Sequence, residues 1–168
     1  MDSFIDQVVA DHMTRTVTTV ARGLTLRELG ELFEREDFNT YPVVDNGQVV
    51  GLVSKFDHLA CFVFTPARMM PRYDDLMQRT VADIMTSDFI YVGADTRLTR
   101  VLQLMVDHRI RSMPVIDGDH RLAGIISRED VMLNDSVRRL VVKREVEAVI
   151  RDDATQLSGH SLNDEWHL

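Results

Sequence analysis

Two stretches of this chain carry the same pattern. Asp11 to Asp57 reads DHMTRTVTTV, LTLRELGELF, NTYPVVD and GLVSKFD, and Asp83 to Asp130 answers with DIMTSDFIYV, RLTRVLQLM, RSMPVID and GIISRED. Met13 maps to Met85, Leu26 to Leu98, Leu29 to Val101, Pro42 to Pro114 and Asp45 to Asp117, all by adding 72. After one extra residue in the second turn, Gly51, Ser54 and Asp57 map to Gly124, Ser127 and Asp130 by adding 73. A register held through strands, helix and turns means two copies of one folding unit, and a short unit repeated once stacks on its twin to bury a shared core. Any pocket is expected between the copies.

Each copy reads β-α-β-β-α, a mixed α/β (α+β) fold. Thr16 to Val20 is β-branched throughout and reads as a strand. Thr25-x-x-Glu28 is a capping box, in which hydroxyl and carboxylate satisfy free amides at a helix start. Leu26, Leu29, Leu32 and Phe33 follow at helical spacing. Tyr41 to Val44 and Val49 to Val53 read as strands joined at Asp45-Asn46-Gly47, residues that tolerate positive φ, and a second helix starts at Ser54. The second copy repeats this order with a strand at Phe89 to Val92, a helix face of Leu98, Val101, Leu102 and Met105, and strands at Met113 to Ile116 and Leu122 to Ile126.

These patterns divide the chain into a first repeat at 8–65, a linker at 66–79, a second repeat at 80–136, a C-terminal helix at 137–151 and a polar tail at 152–168. Pro66, Pro71 and large apolar residues in and around the linker (Phe62, Phe64, Met69, Met70, Tyr73, Met77) argue for packing onto the domains. Asp135 or Ser136 offers a cap for the last helix, with Val137, Leu140, Val141 and Ile150 as its apolar positions; a strand over the same β-branched stretch is the alternative. The tail is acidic and without apolar period, and is expected to stay disordered unless a partner orders it.

Composition narrows the classes. No run of about 18 apolar residues can span a bilayer, and the start MDSFIDQ lacks the basic-then-apolar order of a signal peptide, so a soluble, cytoplasmic protein is expected. Cys61 is the only cysteine and reads as a small buried hydrophobe. The formal net charge is −8, with no Lys or Arg stripe for a phosphate backbone, so nucleic acid is not an expected partner. A locally positive pocket for a small phosphorylated ligand remains compatible with that balance.

The repeated pattern Gly-hydrophobic-x-Ser-x-x-Asp occurs as Gly51 to Asp57 and as Gly124 to Asp130. Ser followed three residues later by Asp at a strand-to-helix junction is what a capped helix looks like. The same atoms suit a ligand: amides and hydroxyl attract phosphate, and a carboxylate accepts both hydroxyls of a ribose. Both readings stand side by side at this level.

The paired MT…V strands, the segments Tyr41-Pro42-Val43-Val44-Asp45 and Met113-Pro114-Val115-Ile116-Asp117, and the two Ser-x-x-Asp motifs closely resemble the CBS domain family in its tandem form, the Bateman module. The resemblance covers about Asp11 to Asp135. It implies two CBS repeats packed as a pseudo-twofold disc with two clefts that take adenosyl ligands such as AMP, ADP, ATP, S-adenosylmethionine or dinucleotides. By position it implies that Ser54 with Asp57 and Ser127 with Asp130 meet phosphate and ribose, with Lys55 and Arg128 beside them. Thr14 and Thr86 fall where a residue opening the first strand lines the cleft. Thr40, Tyr41, Ser112 and Met113 fall where backbone groups read the adenine edge. Arg111 stands where the family often places a basic residue toward phosphate, and Asn39 replaces it in the first copy, which makes the two clefts unequal.

Catalysis has little support. There is no Gly-x-Ser-x-Gly elbow, P-loop or His-Glu-x-x-His, and the six histidines show no metal-ligand spacing. His108 and Arg109 read either as phosphate partners or as a solvated helix end. The expectation is a regulatory, non-enzymatic module that needs no cofactor or metal, senses an adenine nucleotide and signals to a partner protein in trans. A ligand-free interaction scaffold is the alternative. Homodimerisation is expected through Leu59, Phe62 and Phe64 in one copy and Val131, Met132 and Leu133 in the other.

Overall fold

The computed structural model describes residues 4–63 and 73–132. The expected C-terminal helix at 137–151 and the tail at 152–168 lie outside the described residues, as do Pro66, Pro71, Phe64 and Leu133. The first copy comprises β1 (Val20–Ala21), α1 (Leu26–Arg35), β2 (Thr40–Asp45), β3 (Gln48–Ser54) and α2 (Lys55–Ala60). After α3 (Tyr73–Met77) and α4 (Val81–Ile84), the second copy follows with α5 (Leu98–His108), β4 (Ser112–Ile116), β5 (Leu122–Ser127) and α6 (Arg128–Met132).

Local chemistry accounts for most boundaries. At the start of α1 the Glu28 carboxylate accepts the Thr25 backbone N–H at 2.9 Å, and the Glu28 N–H donates to the Thr25 hydroxyl. The Thr25 backbone N–H and, less strongly, the Thr25 hydroxyl, which also donates to this carboxylate, hold the Glu28 carboxyl below the usual carboxylate range. The corresponding residues of the second copy are Arg97 and Arg100, and α5 begins without a side-chain cap. Both helices bury most of the expected stripe: Leu26, Leu29 and Phe33 in one, Leu98, Val101 and Met105 in the other, with Leu32 and Leu102 half-buried against the same cores. In the first hairpin Asn46 and Gly47 both take positive φ, 50° and 78°, the geometry of a two-residue turn that matches strand twist.

The extra residue in the second hairpin has a structural use. His120 sits at φ 58° and turns its carbonyl toward the first copy, where it accepts the Val49 N–H at 3.1 Å. The Gln48 side chain reaches the Asp119 carbonyl beside it. The two hairpin tips are thereby tied together.

The copies exchange their leading segments. The Val9 and Ala10 amides donate to Thr96 and Ala94, and Leu98 donates to Gln7; the counterparts Val81 to Leu24, Ala82 to Arg22 and Leu26 to Arg79 repeat the clamp in the other direction. Val9 is fully buried in the second copy's core, while Leu76, Met77 and Val81 complete the first copy's core. Farther on, Thr14 exchanges two backbone bonds with Ile125 of β5, both at 2.9 Å, and Thr86 does the same with Leu52 of β3 at 2.8 and 2.9 Å. Each sheet therefore ends in a residue from the other repeat.

This exchange explains where the strand expectations differ from the structure. Strand is present at Val20–Ala21, which pairs in parallel with β2, and as a single bridge from Val92 to Val115, not along Thr16 to Val20 or Phe89 to Val92. Thr14 belongs to one sheet and Val20 to the other, so the residues between them cross from sheet to sheet. A crossing segment has extended, β-branched residues but no flanking strand to ladder with.

The motif glycines permit the crossing. A Cβ on Gly124 would lie 2.6 Å from the Thr14 carbonyl oxygen and 3.0 Å from the Met13 sulfur; on Gly51 it would meet the Met85 sulfur at 2.9 Å and the Thr86 carbonyl oxygen at 3.0 Å. Backbone cannot yield as a methionine tip can. Gly124→Ala should therefore destabilise by about 3 kcal/mol and Gly51→Ala by nearer to 1 kcal/mol. Urea midpoints measure both, and amide exchange at Thr14 and Ile125 should accelerate in the Gly124 variant before exchange in α5 does.

Candidate ligand-binding cleft

Between the copies runs a cleft of about 1100 Å³. Its lining follows the duplication: Thr14 with Thr86, Val17 with Phe89, Asn39 with Arg111, Thr40 with Ser112, Leu52 with Ile125, Ser54 with Ser127 and Asp57 with Asp130. Thr40 pairs with Ser54 across the first hairpin and Ser112 with Ser127 across the second, so each hairpin delivers its strand start and its Ser-x-x-Asp motif to one place. The crossing segments supply the remaining wall.

Both Ser-Asp pairs form complete capping boxes. Asp57 Oδ2 accepts the Ser54 backbone N–H and hydroxyl, each at 2.8 Å, while the Asp57 N–H donates to Ser54 Oγ at 3.1 Å. Asp130 and Ser127 reproduce this at 2.8, 2.8 and 3.2 Å. Each box uses Oδ2, so the capping geometry leaves Oδ1 of each half-buried carboxylate for another donor. The first helical amides are engaged within the protein: Lys55 donates to the Asn39 carbonyl at 2.9 Å and Arg128 to the Arg111 carbonyl at 2.8 Å. These bonds place Arg111 next to the second box. They also leave neither of these two amides free for an anion.

Two expected site residues lie elsewhere. The Lys55 ammonium sits 5.9 Å from the centre of the Phe33 ring and outside the cleft lining. Met113 is 1% exposed, within the second core. Tyr41 borders the cleft, but its ring packs between Phe33 and Phe38, and its hydroxyl donates to Glu36 at 3.1 Å. Burial, helped by the Glu36 carboxylate, pushes this phenol up to about 12. Thr14, Thr40, Ser54, Asp57, Thr86, Arg111, Ser112, Ser127, Arg128 and Asp130 all line the cleft.

Other lining residues escaped the sequence reading. Phe38, Phe56, Phe89 and Ile90 give the cleft apolar surface. Phe56 is 78% exposed, an unusual place for a phenylalanine and occupied in the second copy by Glu129. The repeat offset itself was the available signal, since every lining residue except Tyr41, His108 and Arg128 nominates a lining partner in the other copy. Electrostatics break the symmetry. Among the described residues the first copy brings only acidic charges to the lining, Asp37 and Asp57, whereas the second brings Arg109, Arg111 and Arg128 beside Asp88, Glu129 and Asp130. The Glu129 carboxyl lies below the usual range, chiefly through its own backbone N–H and also through Arg128, whose guanidinium is 3.5 Å away. That pair is exposed and worth little, so Arg128 can turn to a ligand at low cost.

The comparisons with known proteins agree with this architecture. The family profile of the CBS domain matches residues 9–57 and 81–137, more than half of the chain. The protein MJ1225 of Methanocaldococcus jannaschii is 27% identical over 130 residues, covering 76% of this chain and 46% of that protein, so the chain spans less than half of this relative's length. Its crystal structure superposes with a TM-score of 0.71 at 26% identity, over 76% of this chain and 47% of that one. CBS domain-containing protein YhcV of Bacillus subtilis is 29% identical over 126 residues, 75% of this chain and 84% of that protein. CBSX2, solved in complex with AMP, gives a TM-score of 0.63 at 26% identity, over 82% of this chain and 98% of that one. With both copies matched and the paired arrangement shared, this chain belongs to the CBS domain family.

Proposed function

We propose that this protein is a cytoplasmic regulatory module that binds an adenine nucleotide, AMP, ADP or ATP, or a related adenosyl ligand in the cleft between its repeats and passes the change to a partner protein. One observation carries the reading: a single cleft holds two Ser-Asp pairs at equivalent positions, with Arg111 beside one of them. A carboxylate oxygen outside the capping box suits a ribose diol, and a guanidinium suits phosphate. The AMP complex of CBSX2, at 26% identity, supports the ligand class. Among the described residues no helix is long and apolar enough to cross a membrane. Calorimetric titration of the pure protein with AMP should give saturable heat at micromolar concentration.

A second reading has its own observation. The Ser-Asp boxes are complete without any ligand, as a scaffold that only caps its helices would require. Asp130→Asn separates the two. If Asp130 holds a ribose, losing charged hydrogen bonds worth about 1.5–3 kcal/mol each should lower affinity by roughly tenfold or more while the melting point changes little. A collapsed melting point with unchanged affinity would leave only the cap.

Arg111 should discriminate by phosphate. Arg111→Ala is expected to remove most of the preference for AMP over adenosine, about tenfold, and to flatten the salt dependence of AMP binding while adenosine binding stays nearly constant. Equal losses for both ligands would make Arg111 a wall of the pocket and nothing more.

Pairing of two such modules is part of the same proposal. Phe62 packs against the first core and Val131 is 1% exposed in the second, so neither is free for a partner; Leu59 at 63%, Val63 at 65% and Met132 at 42% are exposed. Twofold pairing is the commonest way to cover such apolar residues. Light scattering at tens of micromolar should give the mass of two chains, and Leu59→Glu should return it to one.

A further inference from the structure

The two helices that precede the cleft end differently. α1 stops at Arg35 and its C-cap Glu36 is extended, at φ −113°. α5 continues one equivalent residue further, to His108, and Arg109 then takes the left-handed conformation at φ 54°, ψ 37°, its N–H returning to the carbonyls of Met105 and Val106. Glycine is the usual occupant of that position, because a Cβ there crowds the backbone. Among the described residues the other non-glycine positions with positive φ, Asn46 and His120, lie in hairpin turns. Arg109 thus holds a strained backbone at a helix end where glycine would relieve it, and it lines the cleft together with Arg111. The residue at its place in the first copy is Asp37, of opposite charge.

A strained residue at a ligand cleft points to a side chain that is needed there. Arg111 is tied to the second capping box through its carbonyl bond from Arg128, so a phosphate beside the ribose falls to Arg111. Arg109 stands two residues earlier on the same approach, at the end of α5, a further cation for a longer anionic chain. We infer that Arg109 is the contact for the outer phosphates, so that the second-copy half of the cleft is built for a nucleoside di- or triphosphate, and that the left-handed backbone is retained to aim this side chain. This rests on the nucleotide-binding reading above and assigns a specificity that Arg111 alone does not supply.

The test compares AMP, ADP and ATP by calorimetry on the wild type and on Arg109→Gly, Arg109→Ala and Arg109→Lys, with melting points in parallel. The wild type should favour ATP over AMP by about fivefold, the yield of one partly exposed charge contact. Arg109→Gly should raise the melting point by roughly 2–4 °C as strain is released. In the same variant the ATP-to-AMP ratio should fall to near one, with AMP affinity within about twofold of wild type. Arg109→Ala should lose the ratio without the gain in stability, and Arg109→Lys should retain most of it. An unchanged ratio in Arg109→Gly and Arg109→Ala, with AMP still bound, overturns the role of Arg109 and leaves the nucleotide reading intact. Absence of binding by AMP, ADP and ATP in the wild type overturns both.

Discussion

Everything else in this molecule depends on the reciprocal docking of each repeat's leading segment onto its twin. Thr14 closes the edge of β5 across Gly124, and Thr86 closes the edge of β3 across Gly51. Of the contributions to this docking, burial outweighs hydrogen bonding. Each backbone bond contributes a net of about 1 kcal/mol, whereas fully burying a side chain such as Val9 or Val81 contributes roughly 1.5–3 kcal/mol. Neither core is complete without residues from the other copy, so the repeats are expected to fold together. The cleft is a by-product of the same exchange, since the crossing residues after Thr14 and Thr86 form its wall.

The atoms that start the two short helices also belong to the lining of the cleft. One oxygen of Asp57 and of Asp130 accepts both donors of its serine and starts a helix; the other oxygen takes no part in the cap. Around this shared frame the copies have diverged in charge. Interior positions tolerate little change because they are close-packed, whereas cleft-lining side chains can vary without disturbing the cores. A chain with a net charge of −8 can therefore bring three arginines to its cleft from the second copy and, among the described residues, none from the first.

The first copy also shows how a core position can diverge when its neighbour compensates. His58 and Gly30 occupy the places of Val131 and Leu102 in the second copy. The His58 ring fills the space above Gly30, 3.3 Å from where a Cβ would stand, and its Nε2 lies 3.0 Å from the Leu26 carbonyl. A large residue has replaced a small one and a small residue a large one, keeping the seam between α1 and α2 filled. Neither position carried a signal in one copy read alone; the offset between copies makes the exchange visible afterwards.

What the sequence by itself determined is what depends on residues a few positions apart. The Thr25-Glu28 and Ser-Asp boxes, the Asn46-Gly47 turn and the helix faces of Leu26, Leu29, Phe33 and their counterparts are all present as read, because capping, turn geometry and helical period are set within about one turn of chain. Eleven of the thirteen positions taken from the family resemblance reach the cleft wall as lining residues for a similar reason: strand alternation and register carry them there once the hairpins form. Tertiary structure alone decided that Thr14 pairs with the other copy's sheet, that Thr16 to Thr19 cross without a ladder, that Lys55 turns onto Phe33 and Met113 into the core, and that Arg109 faces the cleft. Those outcomes depend on partners 40 or more residues away, such as Ile125 for Thr14, or on which direction a side chain finds unfilled space. Local propensity has no term for either.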